Sequence, residues 1–288
     1  MPPSGFRLAV VGRDASDRVQ QAYSLLRTAL LERPNVVVDW FASTDDLPTD
    51  GMDVDLVVVL GGDGTILRTC RQLGQHQRPM VGVNLGRLGF LADLTSEGFM
   101  SQLDRFLGGR FYVVEHLMYE CRLTRANGDT EIHLGLNEVA VLAGSALSML
   151  QIHVAVDQEP VATYGCDGLI ISTPVGSTAH NLAAGGPILR QDLQAFVMTP
   201  ICPHTLTHRP VVDRADCVYS LWLDEPPEGT TLVIDGQVKI PLAPGDLITV
   251  RKADLSFKLA RLPEHSYYAT LHRKLGWGGT LTPVSTGN

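Results

Sequence analysis

The chain's 288 residues are enough for about two domains, and with 44% hydrophobic and 19% charged residues it has the apolar surface that a disordered chain lacks. Lys and Arg number 23 against 31 Asp and Glu, a formal net charge of −8 that argues against nucleic acid or an anionic membrane surface as partner. No apolar stretch approaches the roughly 20 residues that cross a bilayer, and MPPSGFRLAVVGRD has too short an apolar run for a signal peptide, so the expected compartment is the cytoplasm.

Residues 7–12 (RLAVVG) read as a strand, and 16–33 place Val19, Tyr23, Leu26 and Leu30 at helical spacing before Pro34. Residues 36–41 and 54–60 read as strands, the second almost wholly apolar, as a strand covered on both faces must be. A helix is predicted over 65–74, a strand over 79–83 and a helix over 96–107. This order predicts an α/β N-terminal domain with a mainly parallel sheet, Rossmann-like, over residues 1–108. From about residue 111 short β-like runs alternate with Gly, Pro and Asp turns: 112–124, 133–142, 150–164, 168–173, 217–223, 230–238, 246–253 and 255–262. They predict a β-rich C-terminal domain over 109–288, whose tail is free to pack back on the first.

The strand at 54–60 runs into Gly61-Gly62-Asp63-Gly64-Thr65 and then a helix. Glycine removes the Cβ and a helix end supplies oriented N–H donors, so such a turn admits phosphate oxygens. Neither GxxxxGK[ST] nor GxGxxG is present. An acid in the middle of the loop would repel phosphate unless it has its own task, such as taking a proton from a hydroxyl or engaging a metal. A bare turn is the competing reading of this segment alone. The run from Ser172 to Leu189 (STPVGSTAHNLAAGGPIL) likewise suits close backbone approach by a polyhydroxylated or phosphorylated ligand.

Together GGDGTIL (61–67), NLGRLGFL (84–91), LNEVAV (136–141), DGLIISTPVGSTAHNLAAGGPIL (167–189), PHTLTHRPVV (203–212), DGQ (235–237) and HRKLGWGG (272–279) resemble the NAD kinase family. The resemblance implies the two domains above, a site between them, and phosphoryl transfer from ATP to the adenosine-ribose 2′-hydroxyl of NAD. It also implies a divalent cation, usually Mg2+ as Mg-ATP, and a homodimer or homotetramer. By position, Asp63 is implied as general base, with Gly64 at the same ligand. Asn137, Glu138, Asp167, Thr178, Ala179, His180, Asn181, Leu182, Ala183 and Gln237 are implied as dinucleotide contacts. Arg68, one helical turn after the loop, is set to meet a phosphate, with a solvated helix Arg as the alternative.

The chain departs from the usual TPTGSTAY pattern at Val175, His180 and Ala183. Gly165 stands where some members carry a basic residue and Ser148 where some carry His, which removes about 1.5–3 kcal/mol for each charge-assisted hydrogen bond truly absent. Two other functions fit subsets of these motifs: a lipid or sugar kinase with a GGDG-type loop, and a catalytically weak NADP-binding sensor. His204 and His208 are four apart, but Pro203 and Pro210 bracket them and no third ligand has motif spacing, so a structural role is expected. The five cysteines lack a CxxC pair and read as reduced, mostly buried thiols.

Overall fold

The computed structural model describes residues 5–277 apart from 15, 49, 87 and 145–148. The chain divides into two compact units, residues 1–114 with 258–288, and residues 115–257.

The first unit opens β1 (Phe6–Gly12), α1 (Asp17–Leu31), β2 (Val36–Phe41), β3 (Leu56–Leu60), α2 (Asp63–Leu73), β4 (Met80–Asn84) and β5 (Leu94–Thr95). These strands pair in parallel in the order β5-β4-β3-β1-β2. Every residue of β3 is buried. Leu56, Val58 and Leu60 join Leu26 and Leu30 of α1 in one core, while Val57 and Val59, equally buried, point to the opposite face as alternation requires. The predicted helix over 96–107 is two, α3 (Ser96–Ser101) and α4 (Leu103–Leu107), because the chain leaves the helical conformation at Gln102 (φ −109°, ψ 3°). Phe99, Leu103 and Phe106 still face the core, so the apolar spacing survives a break that it does not reveal.

The second unit holds β6 (Tyr112–Thr124, entering from the first), β7 (Thr130–Gly135), β8 (Glu138–Leu142), β9 (Leu150–Val156), β10 (Glu159–Cys166) and β11 (Gly168–Ser172). A short α5 (His180–Ala183) precedes β12 (Ala195–Ile201), β13 (Val211–Arg214), β14 (Tyr219–Trp222), β15 (Thr231–Ile234), β16 (Val238–Pro241) and β17 (Leu247–Arg261). One antiparallel sheet runs β13-β12-β11-β8-β15-β16, and a second runs β10-β9-β14-β17 with β6 and β7 beyond. Side chains of both sheets, among them Tyr119, Val139, Ile152, Ile171, Phe196, Tyr219 and Ile234, share one core.

The predicted run 150–164 is a hairpin whose turn residues Asp157 and Gln158 take φ of 51° and 70°. Runs 246–253 and 255–262 are one strand, β17, which re-enters the first unit and sets Leu259 beside Met80 in parallel. The chain then forms α6 (Tyr267–Leu275), N-capped by Ser266 Oγ and closed by Gly276 in the left-handed region (φ 62°). Four cysteines are buried and Cys202 is exposed, all as free thiols. Among the described residues no helix is long and apolar enough to cross a membrane.

Candidate active site

From β1 the first unit's chain steps outward to β2, whereas β3 and β4 build the other side, so the strand order reverses between β1 and β3. Crevices beyond the carboxyl ends of strands at such a reversal are where open α/β sheets take ligands. Gly61 and Gly62 follow β3 there. The carbonyl of Gly62 accepts N–H groups from Thr65 and Ile66, so α2 starts at Asp63, two residues before the predicted start. A Cβ on Gly61 would overlap Thr65 Oγ1, which explains a glycine at this entry.

Asp63 reaches into the NLGRLGFL segment. Its Oδ2 accepts the N–H of Phe90 at 2.8 Å, and its Oδ1 accepts those of Leu91 at 3.1 Å and Ala92 at 2.8 Å. A Cβ on Gly89 would overlap this carboxylate, so the glycine makes room for the acid. A carboxylate has about four lone-pair positions, and three are taken, leaving one on Oδ2. Asp63 is therefore a half-buried acid held rigidly by backbone, with one acceptor site in reserve.

In the second unit the carboxylate of Asp235, in β15's exit turn (φ 49°), gathers the LNE segment. Oδ1 accepts the N–H groups of Asn137 at 2.8 Å, Leu136 at 3.1 Å and Glu138 at 3.3 Å, and the Tyr119 hydroxyl at 2.9 Å. Burial and the nearby Asp235 charge raise the Tyr119 phenol well above its usual range, so it stays a donor. The carbonyl of Asn137 accepts Thr173 N–H at 2.9 Å, and a Cβ on Gly176 would overlap it, so the STPVGST turn lies directly on this segment. The side-chain amide of Asn137 makes no hydrogen bond among the described residues.

Glu138 is 1% exposed, and its Oε1 lies 2.7 Å from His180 Nδ1. Burial raises the Glu138 carboxyl, and the hydrogen bond to Glu138 raises the His180 imidazole above 6.5. Glu138 Oε2 is buried without a hydrogen-bond partner among the described residues. The His180 side chain is 65% exposed and packs over Gly236, where a Cβ would sit 2.8 Å from its Cε1. His180 is thus a titratable group set against a buried carboxylate.

Not every residue singled out from sequence presents itself to a ligand. The Asn181 side chain is buried, donating to the carbonyls of Ser177 and Pro187 at 3.0 Å each and accepting Thr199 Oγ1 at 2.6 Å. Thr178 Oγ1 donates to the Val175 carbonyl at 3.2 Å. Ala179 and Leu182 are half-buried, and Ala183, Gln237 and Gly64 are exposed. Asp167 is half-exposed with His204 Nε2 3.8 Å away, and the His208 ring lies 4.4 Å from that of Tyr164. Arg68 points Nη2 at both oxygens of Asp45, 2.9 Å from each, in an exposed pair. Ser148 lies outside the described residues, as do the last two of HRKLGWGG.

The sequence reading names neither Asp235 nor Tyr119 as a site residue. Asp235 lies in the DGQ motif, where Asp-Gly marks a turn, but its burial and its backbone partners appear only in the fold.

The ATP-NAD kinase N-terminal domain family matches residues 10–111, and the ATP-NAD kinase C-terminal domain family matches 136–262. An NAD kinase of Rhodopirellula baltica is 44% identical over 275 residues, covering 96% of this chain and 88% of that one. An NAD kinase of Geotalea daltonii is 39% identical, covering 85% of each. Among solved structures, an Archaeoglobus fulgidus NAD kinase in complex with ATP has a TM-score of 0.75 at 29% identity, covering 94% of this chain and 99% of that one. Yeast NADH kinase complexed with NADH shares the fold, with a TM-score of 0.85 at 23% identity over 98% of this chain and 91% of that one. With both domain families matched and relatives of this identity over most of its length, the chain belongs to the NAD kinase family.

Proposed function

We infer that this chain transfers the γ-phosphoryl group of ATP to the adenosine-ribose 2′-hydroxyl of NAD, giving NADP and ADP. The observation that carries the reading is the carboxylate of Asp63, fixed by three backbone N–H groups at the first turn of α2 with one acceptor position left. In the proposed step the 2′-hydroxyl gives its proton to Asp63 Oδ2. Its oxygen forms the new bond to the γ-phosphorus as the bond to the β-γ bridging oxygen breaks, and ADP leaves. Phosphoryl transfer needs little covalent help from protein, so position and charge are the main contributions. The Asn137 amide and the Glu138 carboxyl are the proposed holders of the dinucleotide, with donor and acceptor capacity for hydroxyl and base groups. Asp167, Gln237, Gly64, Thr178, Ala179, His180, Leu182 and Ala183 complete the proposed contact set, Asn181 shapes it from inside, and Arg68 stands by for a phosphate.

Magnesium enters as part of the substrate Mg-ATP. Among the described residues no group of three or more His, Cys, Asp or Glu is arranged to hold a metal, and Asp63 spends three of its acceptor positions on backbone. The proposed compartment is the cytoplasm, with no nucleic-acid or membrane partner.

Incubating the purified protein with Mg-ATP and, separately, NAD, a diacylglycerol or a sugar, and reading NADP with an NADP-specific dehydrogenase, tests the reading. NADP formation is expected; phosphorylation of the lipid or sugar alone, or NADP binding without turnover, contradicts it.

The Glu138–His180 contact gives the dinucleotide segment a titration. Because the hydrogen bond raises His180, its proton is lost as pH climbs through a value above 6.5, and the apparent KM for NAD is expected to change over that step. His180→Tyr should flatten the KM profile between about pH 6 and 8. Glu138→Gln removes the charge that raises the imidazole and should move the step to lower pH. A profile unchanged in both variants assigns His180 to packing alone.

A closed homodimer or homotetramer is proposed for solution. Val211 and Val212, 40% and 49% exposed on the edge strand β13, together with Leu206 and Trp277, supply apolar surface that supports it. Light scattering should give a multiple of 31.3 kDa, and a fully active monomer at micromolar concentration would contradict it.

A further inference from the structure

The three N–H groups that hold Asp63 belong to residues 90–92, and Arg261 is one of the side chains that anchor this stretch, as Asn84 is at the Ala92 carbonyl. At the end of β17, Arg261 is 5% exposed. Its Nη1 pairs with Asp93 Oδ1, and its Nη2 donates to the Phe90 carbonyl at 3.1 Å. That carbonyl belongs to the peptide plane whose N–H, on Leu91, donates to Asp63 Oδ1 at 3.1 Å. A peptide plane is rigid, so fixing its oxygen fixes the direction of its N–H, and a cation on the oxygen polarises the N–H as donor. Asp93 follows Ala92, the third donor to Asp63, and is gripped by Arg261 at Oδ1, with His265 Nε2 2.8 Å from its Oδ2. Lys274 of α6 donates to the Leu88 carbonyl and lies 5.4 Å from the Phe90 ring centroid.

We propose that Arg261 is a positioning residue for Asp63, gripping the Phe90–Leu91 peptide and Asp93 so that the three N–H groups aim the carboxylate. The proposal rests on the reading of Asp63 as general base. A guanidinium reaches both partners with its fork, whereas a Lys ammonium retains the Asp93 pair and cannot present the same planar pair of donors.

The test is steady-state kinetics of Arg261→Lys and Arg261→Gln, each alone and combined with Asp63→Asn, with melting temperatures to confirm folding. Arg261→Lys keeps the buried charge paired, and Arg261→Gln keeps a donor for the carbonyl, so the experiment does not depend on one variant folding. With Asp63 present, kcat is expected to fall roughly 10- to 100-fold while KM for NAD and for ATP stays within about threefold, since a displaced general base slows the step without loosening substrates. In the Asp63→Asn background the same changes should cost less than about twofold, because the group they aim is gone. Wild-type kcat in a folded Arg261 variant, an undiminished loss in the Asp63→Asn background, or a loss confined to KM overturns the proposal. The two readings fail separately: a turnover-competent Asp63→Asn removes the base assignment, whereas a dead Asp63→Asn beside fully active Arg261 variants removes only the positioning role.

Discussion

Asp63→Asn is expected to lower kcat by roughly 10² to 10⁴ while NAD binds within several-fold of wild type. The amide cannot take the ribose proton, which removes the general-base contribution outright. It also disturbs the loop that holds it. An Asn side chain can turn its one oxygen to the N–H groups of Leu91 and Ala92, but its NH2 then faces the N–H of Phe90, where the carboxylate had accepted a bond of 2.8 Å. An orphaned donor of this kind costs on the order of 1–3 kcal/mol, so a melting temperature lower by a few degrees should accompany the kinetic loss. Lost NAD binding with unchanged turnover would make Asp63 a ligand-positioning group instead.

The second large effect belongs to Asp235→Ala. Four donors, three of them buried, converge on that one carboxylate: the Tyr119 hydroxyl and the N–H groups of Leu136 and Glu138, with the part-buried N–H of Asn137. Removing it leaves them unpaired at about 1–3 kcal/mol each, partly relieved by relaxation, and a total loss of about 3 kcal/mol or more is expected. At roughly 2–4 °C per kcal/mol the melting temperature should fall by about 6–12 °C. Asp235→Asn keeps an acceptor and the side-chain volume and should fold, with its damage appearing as a raised KM for NAD because a neutral amide oxygen holds the Asn137–Glu138 segment less firmly than the carboxylate does. If both variants melt and bind NAD as the wild type does, Asp235 does not organise that segment.

The sequence makes one half of each of these contacts legible. An apolar strand entering GGDG marks Asp63 as an acid in an unusual place, yet its partners are backbone N–H groups 27 to 29 residues away, and a backbone donor leaves no mark in the residue types around it. Asp235 is separated from the N–H groups it holds by 97 to 99 residues, so only the tertiary fold makes the meeting visible. Asn181 sits in a run that reads as ligand-facing throughout, but one turn of short helix sends its amide inward to Ser177, Pro187 and Thr199. The parallel strands and α1 follow from apolar periodicity, whereas the Asp157–Gln158 turn lacks the Asn-Gly or Asp-Gly signal and hides a hairpin inside one β-like run. The closing helix carries its own signals, Ser266 as cap and Gly276 as stop, which the predicted elements above leave out.

The most direct measurement is a single turnover with enzyme in excess, following label from the γ-position of ATP into the dinucleotide by rapid quench, for wild type and for Asp63→Asn loaded with NAD. The account predicts label on the adenosine-ribose 2′-oxygen with wild type, and transfer slower by roughly 10² to 10⁴ in the variant while NAD remains bound. Label that never reaches NAD with wild type, or that reaches it at the wild-type rate without the Asp63 carboxylate, would contradict it.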